Sequence, residues 1–166
     1  MTGLPSTLAN IGASWLAAIA LDVAWCGVGE AQARSDLAGR WATQGFASMI
    51  EFHPCGGAET TTCGRIVWLW ESTDSAGRPR TDSRNPDRTL RARPLVGTEL
   101  VRGLRQTMHG VWSGGELYNP DDGRTYTGSV RLRDGNLELR GCALNVICQT
   151  QTWRRAQDVL AAVPDR

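Results

Sequence analysis

From Gly39 onward, apolar and polar residues alternate in short runs, which is the period of half-buried strands. Gly39-Arg40-Trp41 opens the first run. Ser48 to His53 sets Ile50 and Phe52 against Met49, Glu51 and His53. Gly64 to Glu71 is apolar on both faces, with Ile66, Trp68 and Trp70 on one and Val67 and Leu69 on the other. Burial on both sides requires a cover, for which the loop that follows and the C-terminal segment are candidates. Thr98 to Gln106 is less regular. Leu100, Arg102 and Leu104 share a face there, so either the strand twists or a charge points inward. Val111 to Tyr118 carries Gly114-Gly115 as a bend or bulge. Arg124 to Arg133, Asn136 to Gly141 and Ile147 to Arg155 complete the series, and Ala156 to Val163 reads as a short helix or tail.

The turns give this series its topology. Asp134-Gly135 is a two-residue type I′ signature. It places Arg133 opposite Asn136, Leu132 opposite Leu137, Arg131 opposite Glu138 and Val130 opposite Leu139. Apolar residues meet apolar ones and an Arg meets a Glu, so the register is self-consistent. Asn119-Pro120-Asp121-Asp122-Gly123 is a further strong turn. Eight strands joined mostly by tight links predict an all-β fold, an antiparallel barrel or sandwich. Closed into a barrel, they leave room for side chains or one small ligand. The exception to the short links follows the third strand. There the stretch Asp82 to Gly97 is rich in Arg and Asp, within a loop over 72–97. Long polar loops in otherwise short-looped chains are more often functional than filler.

Composition adds the compartment. Leu16 to Cys26 is an apolar run, and Ala31-Gln32-Ala33 supplies a small-x-small site before Arg34, so residues 1–33 read as a secretory signal and 34–166 as one mature domain. No basic residue precedes the run, and Asp22 interrupts it. A membrane anchor is the competing reading, but the run is short for a span of roughly 20 residues. The chain has 18 Arg, no Lys and 17 acidic residues. Without Asp22 and Glu30 the count is 18 against 15, about +3, and Arg and acids are interleaved, so no nucleic-acid footprint is present. Cys26 would leave with the signal. The other four, Cys55, Cys63, Cys142 and Cys148, read as local disulfides 55–63 and 142–148 in an oxidising compartment. A four-thiolate zinc site is the rival, with longer spacing than such sites use. The expected location is periplasmic or secreted, with no transmembrane anchor after cleavage. No cofactor or metal is expected.

Gly-x-Trp at the first strand resembles the lipocalin signature. That resemblance implies Trp41 closing one end of a barrel with Arg155, or alternatively Arg154, packed over it. A wider pattern runs through Cys63 to Leu69, Asn85-Pro86-Asp87, Leu90 to Gly97, Trp112 to Tyr126, Arg140-Gly-Cys142 and Gln151 to Arg155. It resembles the bacterial exported domain-of-unknown-function family 2147, which implies an eight-stranded lipocalin-like barrel outside the cytoplasm and no established reaction.

Candidate chemistry is sparse. No Gly-x-Ser-x-Gly, His-Glu-x-x-His or phosphate-binding loop occurs. Asn85 and Asp87 read either as a side-chain-capped turn or as polar contacts at a barrel mouth. Arg91 and Arg93 could clamp a carboxylate or phosphate. Trp68, Trp70, Trp112, Tyr118 and Tyr126 are core or pocket wall. His53 and His109 read as surface or loop residues, and Glu71 with Glu116 could meet inside a barrel. The leading expectation is an exported barrel for a small amphipathic or acidic ligand. The alternatives are a cell-envelope interaction module using the 72–97 loop, or an enzyme of unknown type.

Overall fold

The structure, a computed structural model, describes residues 37–144 and 146–161. The signal reading of residues 1–33 lies outside the described residues. Eight strands run β1 (Gly39–Ala42), β2 (Ser48–Cys55), β3 (Ala58–Leu69), β4 (Glu99–Met108), β5 (Val111–Asn119), β6 (Arg124–Arg133), β7 (Asn136–Ala143) and β8 (Ile147–Arg155). A six-residue helix, α1 (Ala156–Ala161), follows. Each strand pairs antiparallel with the next, and β8 returns to β1 through Trp41–Arg155 and Ala42–Arg154, closing the barrel.

The hairpin between β6 and β7 has the register that its sequence predicts, from Arg133–Asn136 to Val130–Leu139. Asp134 and Gly135 take positive φ of 51° and 76°, as a type I′ turn requires. Both disulfides are the local ones, Cys55–Cys63 and Cys142–Cys148, so no thiolate of these four is left for zinc.

Three strands depart from simple alternation. The segment between Cys55 and Cys63 is not a free loop, because β3 begins at Ala58. In β3, Ile66 faces Ile50 while Trp68 faces Met49, so Val67 is the extra residue of a bulge. The bulge reverses the faces beyond it. Ile66 is buried and Leu69 rests on the core, but Trp68 and Trp70 turn outward and are 38% and 74% exposed. In β4, Gly103 takes φ 67°, and the kink lets Val101 and Leu104, three positions apart, both point inward while Arg102 stays outside. Gly114 does the same for β5 at φ 73°. Among the described residues, no arginine is buried in the core.

The interior is filled. Trp41, Ile50, Phe52, Ile66, Val101, Leu104, Trp112, Leu117, Val130, Leu137, Leu139 and Trp153 form one buried cluster. Close packing depends on small residues opposite large ones. A Cβ at Gly128 would sit 2.5 Å from Leu117 Cγ. Gly128→Ala should therefore cost about 1–3 kcal/mol by overpacking, read from urea midpoints. In a Leu117→Ala background the same change should cost less, because the clashing atoms are gone.

Candidate functional site

The barrel has two unlike ends. One carries the β2–β3, β4–β5 and β6–β7 hairpins with the chain segment entering β1. The other carries the β1–β2, β3–β4, β5–β6 and β7–β8 connections, and the long loop belongs to it.

That loop is bound down by a buried carboxylate. Asp82 has no exposed surface. Its Oδ1 accepts from the Tyr118 hydroxyl at 2.5 Å. Its Oδ2 accepts from Asn85 Nδ2 at 2.7 Å and from Arg93 Nη2 and Nε at 2.7 and 3.0 Å. Asn85 Nδ2 also reaches the Tyr118 oxygen at 3.2 Å, and Asn85 Oδ1 accepts from the Asp87 amide. Arg91 Nε donates to the Asn85 carbonyl at 2.7 Å. Asp87 caps the short 3-10 turn Arg88–Leu90 through the Thr89 amide. Burial acts against the Asp82 charge. The hydrogen bonds from Tyr118, Asn85 and Arg93 and the Arg93 charge outweigh it and hold the carboxyl below its ordinary range. Burial, then the adjacent carboxylate, pushes the Tyr118 phenol up to about 12.

Four of the residues expected at a ligand mouth lie together in this loop. Asn85, Asp87, Arg91 and Arg93 are engaged within the loop. The two arginines serve different acceptors and do not form a clamp. A surface depression of about 440 Å³ runs past Arg93, Glu99 and Arg102, but Arg93 binds Asp82 and Arg102 lies 3.6 Å from Glu99. Tyr126 is half-buried against the core and donates to Asp122. Trp41 is fully buried, with the Arg155 guanidinium 4.3 Å from its ring centroid, the packing that the Gly-x-Trp resemblance implies. Trp41 Nε1 and Arg155 Nη1 donate to the carbonyls of Leu37 and Ala38, drawing the entering chain across this end.

Beside that crossing lies a partly enclosed cavity of about 240 Å³. Leu37, Phe52 and Trp112 give it apolar wall, and His53, Thr60, Thr61, Thr62 and Gln106 give it polar groups. Of the aromatic residues expected at a pocket, Trp112 lines it. The Thr60-Thr61-Thr62 run was the sequence signal for the polar side, hidden by reading the disulfide-closed segment as loop. His53, expected at the surface, is partly buried. Its Nδ1 is 3.0 Å from the Pro54 carbonyl, and its Nε2 is 4.0 Å from Glu99 with no hydrogen-bond partner.

The chain matches the family DUF2147, described as an uncharacterized protein conserved in bacteria, over residues 39–155. The chain belongs to the DUF2147 family. No curated protein matches it. Among solved structures it is similar to HP1028 from Helicobacter pylori, described as belonging to the lipocalin family. The match has 24% identity and a TM-score of 0.62, and covers 75% of this chain and 87% of that one. Identity this low shows the fold, an eight-stranded lipocalin-like barrel. Among the described residues of this DUF2147 chain, no helix is long and apolar enough to cross a membrane.

The loop anchor makes a pH prediction. The folded carboxyl of Asp82 titrates below its unfolded value of about 3.9, so its stabilisation is present above that pH and lost as pH falls through the folded value. Asp82→Ala, which strands the Arg93 charge, should cost about 3 kcal/mol and remove this acid limb from stability-versus-pH curves. Tyr118→Phe should cost about 1–2 kcal/mol and leave the limb in place.

Proposed function

We propose that the mature chain, residues 34–166 after removal of a signal at 1–33, is an exported barrel that binds a small amphipathic molecule. The observation that carries this reading is the end cavity, which joins an apolar wall (Leu37, Phe52, Trp112) to a polar side (Thr60, Thr61, Thr62, Gln106, His53). Small-molecule sites combine these two kinds of surface, the apolar part for affinity and the polar groups for orientation. A volume of about 240 Å³ falls below the roughly 300 Å³ at which drug-sized pockets begin, so the ligand is short. The hydroxyls of Thr60, Thr61 and Thr62 and the amide of Gln106 are the hydrogen-bonding groups of this lining, which suits a carboxylate or hydroxyl head. The filled interior argues against a long acyl chain threaded through the barrel. Two disulfides support a periplasmic or secreted setting, because such bonds persist in oxidising compartments.

Isothermal titration with short-chain carboxylic acids and alcohols tests the reading. Binding is expected, weakened about tenfold or more by Gln106→Phe, which fills the mouth without touching the core. Absence of binding by any member of both series, or equal affinity in the variant, would overturn it.

A further inference from the structure

The large apolar side chains left exposed are not scattered. Among the described residues ten are conspicuous, and Met108 and Leu160 are the two that belong to the cavity end. The other eight lie at the opposite end, on its connections or on the strand residues that adjoin them. Phe46 is 44% exposed, and the carbonyl of the following residue, Ala47, accepts from the amide of Trp70, whose ring lies edge-on to Trp68 at 6.1 Å. The β7–β8 hairpin presents Leu144, Val146 and Ile147 at 87%, 76% and 71% exposure, with its base closed by Cys142–Cys148. The remaining two are on the long loop. Isolated exposed apolar residues are ordinary, but a group concentrated at one end marks an interaction surface.

Two further observations narrow the partner. Phe46 and Leu144 have φ of 58° and 50°, a region that bulky side chains rarely occupy. Apolar residues therefore stand at these two exposed turns against backbone preference. The second observation is charge. Residues 72–97 hold six Arg against Asp74, Asp82 and Asp87, a difference of 6 − 3 = +3, whereas the whole chain is +1. Asp82 is bound by Arg93 and Asp74 by Arg78. Asp122, on the neighbouring turn, accepts from Tyr126. Arg80, Arg84, Arg88 and Arg91 remain exposed on the loop.

We propose that this end of the barrel docks on the surface of an anionic phospholipid membrane. The indoles and the hairpin tip enter the headgroup and acyl boundary, where Trp is favoured, and the loop arginines meet lipid phosphates. Arg140 is exposed on β7, four residues before Leu144, or about 13 Å along an extended strand. That spacing leaves its guanidinium near the phosphates when the tip is buried. The docked barrel holds its cavity end away from the bilayer. The proposal does not depend on what the cavity binds.

Flotation of the mature protein with vesicles tests it. Vesicles of phosphatidylglycerol and phosphatidylethanolamine should carry the protein up, with a blue-shifted tryptophan emission shielded from iodide. Pure phosphatidylcholine should not. Trp70→Ser combined with Leu144→Ser should cut binding about tenfold or more, and Arg80→Glu with Arg88→Glu should remove the anionic preference. All four positions are exposed, and an unchanged urea midpoint would establish that the variants fold. Binding to neither vesicle, binding unaltered in both variants, or sedimentation showing the apolar patch buried between two copies would each overturn the proposal.

Discussion

A carboxylate with no exposed surface is the point on which the arrangement depends. Taking Asp82 out of water costs several kcal/mol unless its lone pairs are met. They are met from three directions: Tyr118 on β5, Asn85 three residues on, and Arg93 at the far side of the loop. These contacts turn residues 70–98 from a long excursion into a fixed wall. Backbone bonds follow the same path, from Asp82 N to Arg93 O and from Leu95 N to Arg80 O, and Leu95 is thereby drawn into the core. Arg84 also donates to the Asp121 carbonyl, so the loop rests on the β5–β6 turn.

The wall gives the two barrel ends different characters. At one, a polar cluster and an ordered loop occupy the surface, and apolar side chains collect on the surrounding connections. At the other, the entering chain is pinned by Trp41 and Arg155, and the space left beside it is the cavity. Between them the interior is filled with indole, phenyl and aliphatic side chains set against glycines such as Gly128. The small size of the cavity follows from that filling.

Where local chemistry decides the structure, the residues could be read directly. Asp134-Gly135 has one comfortable conformation, and the flanking pairs leave one register. The cysteines lie across closely paired strand positions, and Trp41 with Arg155 follows from a short signature. Period counting failed where a bulge changes the phase, since Val67 sends two tryptophans outward. It left two readings of Arg102, and the Gly103 kink decides for the outward one. The site was less legible because its partners are remote. Asp82 and Tyr118 are 36 positions apart, and an Asp in an Arg-rich loop looks like surface until its partner is placed. The cavity escaped for a related reason, since it is built from strand ends and the entering chain, with no shared motif.

Backbone hydrogen exchange in the loop measures this account most directly. If the buried carboxylate anchors the loop, the amides of Asp82, Asn85 and Leu95 should exchange nearly as slowly as those of Val130 and Leu139 in the sheet, and Asp82→Ala should speed the loop amides while leaving the sheet protected. Loop amides that exchange at the rate of an unstructured chain in the unaltered protein would contradict it.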